Sequence, residues 1–130
     1  MKNQSSKNKT ILVVEDELST LGALVEIFTI EGFNVLKAKN GKEGLEVALK
    51  KHPDLILLDI IMPKMDGMAM LKELRKDNWG REAKVIILTN LSAVERTAEA
   101  LDNKVYDYFV KANWKITDLL KKVKEKLKVK

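Results

Sequence analysis

Five short apolar runs alternate along the chain with stretches whose apolar residues recur at helical spacing. The runs are Ile11–Val14, Asn34–Ala38, Leu55–Asp59, Val85–Leu88 and Val105–Val110. ILVV, LILL and VIIL are continuously apolar and rich in branched residues, the pattern of strands covered on both faces. Between them, Leu21, Leu24, Val25 and Phe28 share one helical face, as do Leu45, Ala48 and Leu49. Leu71 with Leu74, and then Val94, Ala98 and Leu101, repeat the pattern. In the last helix Ile116, Leu119, Leu120, Val123 and Leu127 face inward and lysines fill the other side. Gly32, Asn40-Gly41, Pro53 and Ser92 punctuate the segments where turns and helix starts are needed. The pattern predicts an α/β fold of the (βα)5 type: a doubly wound, parallel, five-stranded sheet with right-handed crossovers. Residues 1–9 are read as a disordered lead-in and residues 10–130 as one domain.

The length of 130 residues fits one domain with a core large enough to need no staples. The chain has no cysteine, which excludes disulfides, thiolate metal sites and cysteine nucleophiles, and its only histidine is His52. No apolar run approaches the ~20 residues of a membrane span, and MKNQSSKNKT lacks a signal core, so no membrane association is expected and the cytoplasm is the default compartment. The net charge of +5 is unevenly spread: residues 1–10 carry +3, residues 111–130 carry eight lysines against Asp118 and Glu125, and the body between is acidic. Trp114 is the one aromatic among the terminal lysines and no arginine is interleaved with them, so a solvated face is favoured over a nucleic-acid surface.

In an open sheet of this kind the ligand site lies beyond the carboxyl ends of the strands. The residues at those ends are Glu15, Asp16 and Glu17, then Asp59, then Thr89 and Asn90, then Lys111. Carboxylates converging at one edge repel unless a cation lies among them, and an all-oxygen donor set suits Mg²⁺. With a hydroxyl and a lysine nearby, such a site can cradle a phosphoryl group, and an aspartate can act as the nucleophile. Taken singly, each residue has a plainer explanation: acids at a helix start, a strand-end cap, a β-branched strand residue, a solvated lysine.

ILVVEDE, LILLDIIMPKMDG, VIILT and YDYFVK, in this order and spacing, resemble the receiver domain of two-component response regulators over about residues 9–128. The resemblance implies the flavodoxin-like strand order 2-1-3-4-5. It implies Asp59 as phosphoacceptor, and Mg²⁺ held by Glu15, Asp16, Asp59 and the backbone carbonyl of Ile61. Thr89 and Lys111 match the residues that bind the phosphoryl oxygens, and Tyr108 the aromatic that switches with the threonine. Pro63 and Gly67 match the turn into the third helix. The implied partners are a sensor histidine kinase or histidine phosphotransfer protein, and a downstream protein docking on the face of the fourth helix, fifth strand and fifth helix.

Some residues depart from the family pattern. Glu15 stands for the commoner aspartate, Asn90 for a small residue, and Ala112 for proline after the lysine, where a cis peptide would cost about 3–4 kcal/mol. Trp114 is either a cap on the last helix or a partner contact. Ile61 and Leu91, flanking the path of an attacking water, are apolar and predict slow self-dephosphorylation. Met62, Met65, Met68 and Met70 suit core filling or a partner surface. His52 is expected on the surface without a role. The main rival is a receiver-fold scaffold that is never phosphorylated. An aspartyl-phosphate hydrolase would want an aspartate where Ile61 stands, and a basic-helix nucleic-acid binder would show steep salt dependence.

Overall fold

The computed structural model describes residues 9–59, 62, 65–89, 107–110 and 115–129, with residues 89 and 107–110 described as strand backbone. Five parallel strands form one sheet in the order β2-β1-β3-β4-β5: β1 Thr10–Val14, β2 Asn34–Ala38, β3 Leu55–Asp59, β4 Val85–Thr89 and β5 Asp107–Val110. The helices described are α1 Leu18–Ile30, α2 Gly41–Lys51, α3 Gly67–Arg75 and, last in the chain, α4 Ile116–Leu127. The helix predicted around Ser92–Leu101 lies outside the described residues, as does the predicted start of the fifth strand at Val105.

The continuously apolar strands are explained by the period of two across a pleat. Leu12, Val14, Ile56, Leu58, Val85 and Ile87 point to one face, where Ala48 of α2 and Met68, Met70, Leu71 and Leu74 of α3 cover them. Ile11, Val13, Leu55, Leu57, Ile86 and Leu88 point to the other, where Leu21, Leu24 and Phe28 of α1 and Leu119, Val123 and Leu127 of α4 close the core. Neither face of β1, β3 and β4 is left to water, so these three strands hold no polar residue between their ends. Met62 joins the first of these clusters and Met65 packs against it, so these methionines fill core.

The buried face of α2 differs from the predicted one. Gly41, Gly44 and Ala48 are buried, Leu45 is half-buried and Leu49 is exposed. The helix lies so close to the sheet that a Cβ at Gly44 would meet Val14 Cγ2 at 2.9 Å, and only small residues fit beneath it. Its start is capped reciprocally: Asn40 Oδ1 accepts from the Glu43 N–H at 2.9 Å, and Glu43 Oε1 accepts from the Lys39 N–H at 2.7 Å. Its end is left-handed at His52, φ 49°, whose exposed ring stacks on Trp79 with centroids 4.3 Å apart. Asp66 Oδ1 caps α3 by accepting from the Ala69 N–H at 2.9 Å. Gly32, φ 98°, ends α1 in the backbone region where a side chain is costly. No helix among the described residues is long and apolar enough to cross a membrane.

Candidate metal and phosphoryl site

Strand order reverses at β1, whose chain crosses first to β2 on one side and then to β3 on the other. A crevice therefore opens beyond the carboxyl ends of β1 and β3. Val14 pairs in register with Leu58, so Glu15 and Asp59, each one residue further, lie at the same level of neighbouring strands. Glu15 is fully buried, Asp59 is 7% exposed, and Asp16 stands out in solvent.

The carboxylates of Glu15, Asp16 and Asp59 each place an oxygen within 4.8 Å of the others. Glu15 is held from two directions: its N–H donates to the Ala38 carbonyl at 3.0 Å, and its Oε2 accepts from the Glu17 N–H at 3.2 Å. The Glu17 carboxylate turns away to accept from the Thr20 hydroxyl, and so stands outside the cluster. Three acids at this spacing, two of them shielded from water, concentrate negative charge in a medium that screens it weakly. Hard oxygen donors in this number suit Mg²⁺, which takes one or two carboxylates and keeps water on its remaining positions. The donor set thus fits the expected metal.

The sheet register carries the other predicted residues toward the same edge. Asp59 pairs with Leu88, so Thr89 ends β4 one step beyond the level of Asp59 on the adjacent strand. Thr89 pairs in turn with Val110, the last residue of β5 and the chain neighbour of Lys111. Tyr108 lies within β5, paired with Ile87. Ile61, Pro63, Asn90, Leu91, Lys111, Trp114 and the Lys111–Ala112 peptide lie outside the described residues. A backbone feature that motif reading missed lies nearby: the Gly41 N–H donates to the Met65 carbonyl at 2.8 Å, tying the start of α2 to the loop after Asp59. The Asn40-Gly41 pair marked a helix start in the sequence, but nothing in it pointed to a partner so far along the chain.

Comparison with known proteins agrees with this geometry. The sequence model of the response regulator receiver domain matches residues 11–124. A probable transcriptional regulator, ycf27, of Pyropia yezoensis is 41% identical over 111 residues, which are 85% of this chain and 43% of that protein. The chain therefore spans less than half the length of that curated relative. Among solved structures, a CheY-like receiver domain protein from Methanospirillum hungatei JF-1 superposes with a TM-score of 0.85 at 32% identity, covering 92% of this chain and 94% of that one. The receiver domain of a sensor histidine kinase from Pseudomonas aeruginosa PAO1, solved with a magnesium ion coordinated in its active-site cleft, superposes with a TM-score of 0.82 at 26% identity. It covers 92% of this chain and 97% of its own. With the sheet order, the acidic pocket and the matched motifs in agreement, this chain belongs to the response regulator receiver domain family, the signalling domains of two-component systems.

Proposed function

We propose that the chain accepts a phosphoryl group on Asp59 from a phosphohistidine of a sensor kinase or phosphotransfer protein, in the cytoplasm. The observation that carries this reading is the convergence of Glu15, Asp16 and Asp59 at the crevice between β1 and β3. Glu15, Asp16 and Asp59, with the Ile61 carbonyl, would hold Mg²⁺. When bound, the ion neutralises charge on the transferring phosphoryl oxygens. A carboxylate oxygen of Asp59 attacks phosphorus in line as the bond to the histidine nitrogen breaks, leaving an acyl phosphate on Asp59 and a free imidazole on the donor. Burial of Asp59 at the end of a rigid central strand fixes the nucleophile and keeps bulk water from competing. Thr89 and Lys111 receive the phosphoryl oxygens, supported by the register that sets the ends of β4 and β5 beside β3. Tyr108 responds to the movement of Thr89. The altered face formed by the helix predicted around Ser92–Leu101, β5 and α4 then changes affinity for a downstream protein, a shift between two packed states. On this reading the chain is a signalling switch whose only chemistry is performed on itself, and residues 10–130 form the receiver unit.

The test is intact mass after incubation with a small phosphodonor and Mg²⁺. Wild type should gain one phosphoryl group; Asp59→Asn, or wild type with a chelator, should gain none. A folded wild-type chain that binds neither Mg²⁺ nor phosphate would instead be a scaffold.

A further inference from the structure

We infer that the turn between β2 and α2, Ala38–Gly41, positions the two metal-bearing segments against each other, with Gly41 as its decisive residue. The inference rests on the receiver reading above and assigns the turn a task within that site. Two of the backbone hydrogen bonds made by these four residues reach the segments that follow β1 and β3. The Ala38 carbonyl accepts from the N–H of Glu15, the fully buried acid of the cluster, at 3.0 Å. The Gly41 N–H donates to the carbonyl of Met65 at 2.8 Å, six residues along the chain from Asp59, another acid of the cluster. The acid after β1 and the loop after β3 thus share one anchor, although the residues that anchor them bear no metal ligand.

The anchor is itself rigid. Asn40 and Glu43 cap α2 from both sides, and Asn40 lies directly between the two anchoring contacts. Gly41 is required by space rather than by backbone angle: a Cβ there would lie 2.0 Å from the Met65 oxygen and 2.8 Å from its carbonyl carbon. Backbone cannot swing aside as a side-chain tip can, so a methyl at position 41 must push the loop away from the helix. Gly44 supplies the contrast. It lies one turn on, and a Cβ there would meet the Val14 side chain at 2.9 Å and Met70 Sδ at 3.0 Å, both in the core and neither on the loop.

The experiment compares Gly41→Ala with Gly44→Ala. For each, Mg²⁺ affinity is measured by titration of the unphosphorylated protein, and the thermal midpoint is measured in chelator. Both variants should lower the midpoint, but Gly41→Ala should weaken Mg²⁺ binding about tenfold while Gly44→Ala stays within about twofold of wild type, as when ligands lose an outer support. Equal weakening in both variants, or wild-type affinity in Gly41→Ala, would overturn the inference. A second measurement does not depend on either variant folding. Because coupling is reciprocal, Mg²⁺ should slow amide hydrogen exchange at Gly41 in the wild-type chain. Exchange at Gly41 unchanged by bound Mg²⁺ overturns the positioning role and leaves the receiver reading standing. Failure of the wild type to bind Mg²⁺ removes both.

Discussion

Glu15 and Asp16 are neighbours in sequence and opposites in environment: the first is fully buried, the second exposed. The end of β1 decides this: both faces of the strand are covered through Val14, Glu15 is still tied to the end of β2 through the Ala38 carbonyl, and Asp16 has passed beyond the sheet. Asp16 therefore adds charge to the cluster without being needed for packing. Asp16→Asn should raise the thermal midpoint by a few degrees in chelator, by relieving repulsion, and should lose the further rise that Mg²⁺ gives wild type; melting curves with and without Mg²⁺ check both signs. Buried apolar residues behave differently. Leu71, with no exposed surface, should cost about 2–5 kcal/mol as Leu71→Ala, whereas Leu18, 68% exposed, should stay within about 0.5 kcal/mol as Leu18→Ala, read by denaturant unfolding. At the proposed phosphoryl group, the apolar Ile61 and Leu91 predict a long-lived acyl phosphate. Polar substitutions at both should hasten its loss, followed by mass over time, and an unaltered decay would refute the idea.

At the scale of elements, α2 shows how a helix is specified by its ends as much as by its face. Its inward residues are mostly glycine and alanine, which bury little area, so the Asn40–Glu43 cap carries an unusual share of its definition. Asn40→Ala should cost about 1 kcal/mol in denaturant unfolding, while Asn40→Asp, which keeps the accepting oxygen, should cost less. The same helix shows the limit of periodicity. Apolar spacing suggested Leu45, Ala48 and Leu49 as the buried set, but Val14 beneath Gly44 and the Met65 carbonyl against Gly41 leave room there only for glycine, and the buried residues are Gly41, Gly44 and Ala48. Strands were easier to read, since a run such as LILL has no exposed face on which a polar residue could appear. The His52–Trp79 stack was not legible at all, because a left-handed residue at a helix end is usually a glycine and no local signal ties these two rings together.

For the whole molecule, two cores pressed on one sheet make the strand ends a stiff frame, and the acidic crevice lies where that frame has its switch point. The frame holds three carboxylates together against their repulsion, so the proposed metal binding would be linked to folding. Mg²⁺ at about a hundredfold excess over its dissociation constant should stabilise the fold by about 2.7 kcal/mol, an increment absent from Asp59→Asn; unfolding in each condition measures it. The sequence alone determined the alternation of five strands with helices, the continuous burial of the central strands, and the identity of the acids at their ends. Those features depend on local periodicity and on residue type, and both are written in chain order. Tertiary structure alone decided how those acids differ in burial, with Glu15 and Asp59 shielded and Asp16 exposed, and that Gly41 meets the carbonyl of Met65. The pocket and the Gly41–Met65 contact join residues far apart in the chain, the first through the register of β1 with β3 and the second through the close approach of α2 to Met65, which no single segment encodes.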